Sequence, residues 1–82
     1  MKGAKSMEKL IEAIAKTLVD NQDNVDVKKI EGESTVVYEL RVDKSDVGKI
    51  IGKKGNTARA IRTILNAAGR RAGKKVMLEI IE

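Results

Sequence analysis

The segment Val47-Gly48-Lys49-Ile50-Ile51-Gly52-Lys53-Lys54-Gly55-Asn56-Thr57 sets two glycines three residues apart, with two lysines between them. Apolar residues run into Gly52, and a new helical periodicity starts directly after Gly55. Without a Cβ at either glycine, nothing blocks a phosphate from approaching main-chain N–H groups. The helix that starts there adds N–H donors without intrahelical partners and the positive end of its dipole. Lys53 and Lys54 fill the intervening positions with positive charge. Together these are the parts of a clamp for a sugar-phosphate backbone.

Other glycine loops fit less well. A nucleoside-triphosphatase loop needs G-x-x-x-x-G-K-[ST], but Gly48 and Gly52 are one residue too close and Lys54 stands where the hydroxyl should be. A dinucleotide fingerprint needs G-x-G after a strand, and the chain has no G-x-G. The plainer alternative is that Gly52 ends one helix and Gly55 eases the turn into the next. Charge placement weighs against it. Ten of the 17 basic residues fall between Lys44 and Lys75, where Asp46 is the lone acid, whereas the segments on either side are net acidic. Such asymmetry is the electrostatic footprint of a polyanionic partner.

Downstream of the turn, a helix is expected from Asn56 or Thr57 to about Arg71. One stripe is Ala58, Ile61, Leu65, Ala68 and Ala72, and a second is Ala60, Ile64 and Ala67. One stripe must face a sheet, and the other is spare. Gly73 stops the helix, and Val76–Ile81 reads as a final, mostly buried strand. Upstream, Ser45 is the expected cap of a short helix over 46–51. Thr35–Val42 is the clearest strand, with Val36, Tyr38, Leu40 and Val42 on one face; it pairs antiparallel with a weaker strand at 25–31. A helix from Met7 to Val19 comes first, capped by Ser6, behind a loose leader of residues 1–6. The crossover between the second and third strands makes those two parallel neighbours. The expected fold is one α+β domain over 7–82, order α-β-β-α-α-β, with a three-stranded mixed sheet and three helices on one face.

The 82 residues suffice for one domain, with an aliphatic core because Tyr38 is the only aromatic. Histidine and cysteine are absent, so disulfides and thiolate metal sites are excluded. The carboxylates are scattered, and no nucleophile–base pair is suggested by spacing. Neither an enzyme nor a cofactor is expected. No apolar run has the length of a membrane span and no secretory signal is present, so a cytoplasmic setting is expected.

Ile50-Ile51-Gly52-Lys53-Lys54-Gly55 resembles the I-G-x-x-G signature of KH domains, set between two helices as that fold requires. The preceding helix and hairpin and the single following strand resemble the type II, bacterial arrangement. From Glu39 to Ala60 the chain is similar to the small stand-alone KH proteins of bacteria, the KhpA family. Ala58 departs from the pattern, since many KH domains carry a larger aliphatic there. The resemblance implies binding of single-stranded RNA, about four nucleotides in a narrow groove. It implies that Gly52, Lys53, Lys54 and Gly55 hold the backbone, that Val47 and Ile50 form an apolar floor, and that Arg59 and Arg62 line the rim. Lys74 and Lys75 would flank the other side. Specificity should be weak, because the phosphate contacts carry no sequence information. An RNA chaperone or post-transcriptional regulator is implied. The resemblance also implies homodimers and pairing with a larger KH-containing protein, KhpB or Jag. On the alternative reading, the chain is mainly a protein-interaction module working through the spare stripe.

Overall fold

The computed structural model describes residues 3–81, with side chains described from Met7 onward. In order, the elements are α1 (Gly3–Leu18), β1 (Asp26–Glu31), β2 (Thr35–Arg41), α2 (Val47–Ile51), α3 (Asn56–Ala72) and β3 (Lys75–Ile81). This is the α-β-β-α-α-β order read from the sequence. The sheet runs β1-β2-β3, with β1 antiparallel to β2 and β2 parallel to β3. Residues 1, 2 and 82 lie outside the described residues. The remainder of the expected leader, 3–6, is the start of α1, so Ser6 lies inside that helix instead of capping it.

Alternation along β2 dictates the core. Val36, Tyr38 and Leu40 point into the helical layer and are buried, while Val37 and Glu39 point away. Over them lie Ile11 and Ala15 of α1 and Ile61 and Leu65 of α3, joined by Val42, Ile50 and Leu78. Burying each large aliphatic contributes about 1.5–3 kcal/mol. Ala58 is also buried, so the small residue where many KH domains carry a larger one still packs inside. Gly69 resolves as close packing: a Cβ there would meet Val76 Cγ2 at 2.5 Å and Lys74 O at 2.6 Å. That pins the end of α3 onto the start of β3.

The last strand differs from expectation. It is not mostly buried: Leu78 is, but Met77 is 44% exposed and Glu79 is open. Helices cover only one face of the sheet. On the other face Met77 stands in register with Val37 and Ile30, and Glu79 with Glu39 and Lys28. A run of five apolar residues in six therefore came from strand propensity on both faces, not from burial on both.

Candidate nucleic-acid interface

The glycine turn is built from three successive departures from ordinary backbone. Gly52 closes α2 with its N–H on Gly48 O at 2.9 Å, and adopts φ 78°, ψ 174°, a region essentially reserved for glycine. Lys54 (φ 57°, ψ 25°) and Gly55 (φ 76°, ψ 10°) are both left-handed. A Gly55 N–H···O Gly52 bond of 3.1 Å holds the turn shut. For Lys54 the conformation costs on the order of 1 kcal/mol. Strain of this kind persists where the surroundings over-determine it, most often at functional sites. The two glycines serve different ends. A Cβ on Gly52 would lie 2.2 Å from Thr57 Oγ1, so its lack of a side chain lets α3 pack down on the turn. Above Gly55 an added Cβ meets nothing within 4 Å, so there the space is open to an incoming group. Next, α3 begins at Asn56 with no side chain capping it. The Asn56 N–H is taken by Lys53 O, and the positive end of the α3 dipole lies at the turn, where it favours an anion.

What holds this turn in place is Asp46, which sequence reasoning placed only at a helix start. Its carboxylate is fully buried. Asp46 Oδ2 accepts the Asn21 N–H and Asn21 Nδ2, both at 3.0 Å, and Oδ1 accepts the Asp20 N–H at 3.3 Å. Lys49 Nζ reaches Asp46 Oδ1 and Asp20 Oδ2, each at 3.3 Å. The loop after α1 is thereby tied to the segment that carries the turn. Ser45 does not cap the short helix: Asp43 caps a single 3-10 turn, Lys44–Asp46, that leads into α2, accepting the Ser45 N–H and hydroxyl at 3.0 and 2.6 Å, and α2 itself begins without a side-chain cap. Aspartate outcompetes serine there because one carboxylate can take both donors.

Burial pushes the Asp46 carboxyl up, but the Asn21, Asp20 and Lys49 donors outweigh it and hold it at about 2. A folded value below the usual 3.8 means the carboxylate adds stability that is complete above about pH 4 and disappears as pH falls toward 2. Thermal midpoints should therefore fall steeply between pH 4 and 2. In Asp46→Asn, less stable at neutral pH, that fall should be visibly shallower. Parallel curves for the two proteins would show that other carboxylates carry the acid sensitivity.

The structure brings some of the expected residues together and separates others. Lys53 and Lys54 project from the turn, and Arg59 and Arg62 stand exposed on the first turns of α3. None of the four has an ion-pair partner among the described residues. Val47 is half-buried on the same short helix. Ile50 is not a groove residue. It is 0% exposed in the core, whereas Ile51 is 40% exposed beside the turn, so the accessible apolar side chain there is Ile51. Lys74 and Lys75, expected on the other side of the groove, stand well away from the turn. The seventeen residues of α3 carry the chain about 25 Å away before reaching them. There Lys74 Nζ is bonded to Glu31, and the Lys75 N–H to Ser34 O at the β1–β2 turn. No helix among the described residues is long and apolar enough to cross a membrane.

A two-layer α-β-β-α-α-β domain with a strained G-x-x-G turn between its second and third helices defines a KH domain of type II order. The profile of the family described as KhpA/KhpB, KH domain matches residues 8–80, and the chain belongs to that family. Among curated relatives, the RNA-binding protein KhpA of Aquifex aeolicus is 58% identical over 94% of this chain and 98% of its own. The protein of that name from Borreliella burgdorferi is 53% identical over 89% of each chain. That of Clostridium perfringens is 48% identical over 92% of this chain and all of its own. No solved structure was found to match.

Proposed function

We propose that this chain binds single-stranded RNA through its backbone. In this reading Gly52, Lys53, Lys54 and Gly55 grip phosphates, with Arg59 and Arg62 along the rim and Val47 and Ile51 as apolar contacts for bases. The observation that carries it is a pair of lysines, without an ion-pair partner among the described residues, on a strained turn at the start of α3, which no side chain caps. Kinship with relatives named RNA-binding proteins supports the same polyanion. With a phosphate-dominated contact and few groups able to read base edges, sequence preference is low. That suits an RNA chaperone or post-transcriptional regulator acting in the cytoplasm. The test is binding of an unstructured RNA across a salt series, wild type against Lys53→Asp with Lys54→Asp. Affinity should fall by about 0.7 log units per tenfold salt for each phosphate contacted.

A second reading, compatible with the first, is self-association. Ile64 is 48% exposed, and Ala60 and Ala67 beside it are exposed too, leaving an apolar stripe on α3 that its own domain does not cover. Small residues flanking one large aliphatic allow close, self-complementary helix pairing about a two-fold axis. The KhpA/KhpB family name supports a related surface on a larger KH protein as the alternative occupant. Ile64→Glu should convert a dimer to a monomer by light scattering while leaving the circular dichroism spectrum unchanged. A wild type that runs as a monomer at all concentrations would remove the homodimer from consideration.

A further inference from the structure

Basic side chains on α3 continue well past the glycine turn. Arg59, Arg62, Asn66 and Arg70 recur at spacings of three, four and four, which sets them on one stripe of the helix. All four are exposed. On the other flank of α3, Ala68 lines a cavity with Met7 of α1. Asn66 and Arg70 instead line a separate shallow concavity with Gly73, Lys74, Lys75 and Val76. That concavity opens beside β3, one of the two edge strands of the sheet. The stripe thus runs over the free edge of the sheet, on the flank of the helix opposite the α1 side.

One cation near a helix C-terminus is favourable in itself, which accounts for Arg70 or Arg71 singly. It does not account for exposed cations that start at the turn and recur down to a concavity lined by Arg70 and Lys75. Arg59 and Arg62, three residues apart, are like charges on one face, a pairing that costs stability when nothing intervenes. Among the described residues Arg59, Arg62, Arg70 and Lys75 have no ion pair, and only Lys74 is neutralised, by Glu31. An extended polyanion laid along the stripe removes that cost, and a single small anion does not.

The geometry points to a second RNA contact at the far end of α3, centred on Arg70 and Lys75, where the strand gripped at the glycine turn continues along the helix. This rests on the turn being the primary grip. The two contacts stand about 25 Å apart, further than the roughly four nucleotides of a KH groove need. Affinity should therefore rise with RNA length beyond that groove, because the second contact forms intramolecularly once the first is made.

The test compares an oligouridylate of about four nucleotides with one roughly three times as long, against wild type and Arg70→Glu with Lys75→Glu. The short oligomer should bind both proteins equally. The long one should lose about twentyfold at ~0.1 M salt, and its salt slope should flatten by about 1.4, the share of two contacts. Equal binding of the long oligomer by variant and wild type would overturn the second contact, as would equal losses at both lengths. Lys53→Asp with Lys54→Asp, run in parallel, isolates the other failure: if it still binds the short oligomer, the primary grip is misassigned. Should charge reversal unsettle the end of α3 by circular dichroism, Arg70→Gln with Lys75→Gln supplies the same comparison.

Discussion

Lys53→Asp with Lys54→Asp should abolish RNA binding and leave the domain folded. Both lysines are exposed and neither has a side-chain hydrogen bond or ion pair among the described residues, so the fold loses no such bond. Position 54 is left-handed, and aspartate is one of the few non-glycine residues that visits that region readily. Acidic groups just before a helix also interact favourably with its dipole, so thermal stability should hold or rise slightly. Binding moves the other way. Each charge-assisted hydrogen bond to phosphate is worth about 1.5–3 kcal/mol, so losing two costs at least a hundredfold in affinity before repulsion is added. Fluorescence anisotropy with a labelled oligomer measures the loss, and a melting curve on the same sample checks the fold. A folded variant that binds like wild type would reassign binding to the open basic surface of α3 and make self-association the leading function.

The order of elements and the sheet topology were legible because each rests on local signals: β-branched alternation in Thr35–Arg41, glycines at 52, 55 and 73, and a crossover long enough to force β2 and β3 parallel. The turn was legible for the same reason. What was not legible has one physical cause: contacts between distant segments leave no mark on the pattern of either. Ile50 and Ile51 are adjacent on a helix of five residues, too short for its pattern to fix which one faces inward; Asp46 ties its segment to the loop after α1, and so Ile50 is buried. The Asp46–Asn21 bonds join residues 25 apart and leave no mark in either neighbourhood. The KH resemblance sets Lys74 and Lys75 on the far side of the groove, and a seventeen-residue helix separates them from the turn.

Of the two glycines, Gly52 should prove far more sensitive to substitution than Gly55, and through the fold, not through RNA. Gly55→Ala places a methyl group in open space at φ 76°, so its cost is the left-handed backbone alone, about 1–2 kcal/mol. Gly52→Ala meets two penalties at once. Its φ 78°, ψ 174° region costs about 1–3 kcal/mol for any residue with a Cβ. The methyl group would also sit 2.2 Å from Thr57 Oγ1 and 2.9 Å from Thr57 N, and the backbone atom cannot rotate away. Forcing such a contact typically adds another 1–3 kcal/mol. For a domain this small, about 3 kcal/mol corresponds to a melting temperature lower by roughly 12–24 °C. Differential scanning calorimetry of the two variants decides the matter, and equal melting points would mean that α3 does not pack on the turn as described. If the gap appears, weak RNA binding by Gly52→Ala reports a displaced helix, whereas weak binding by a stably folded Gly55→Ala reports the phosphate approach itself.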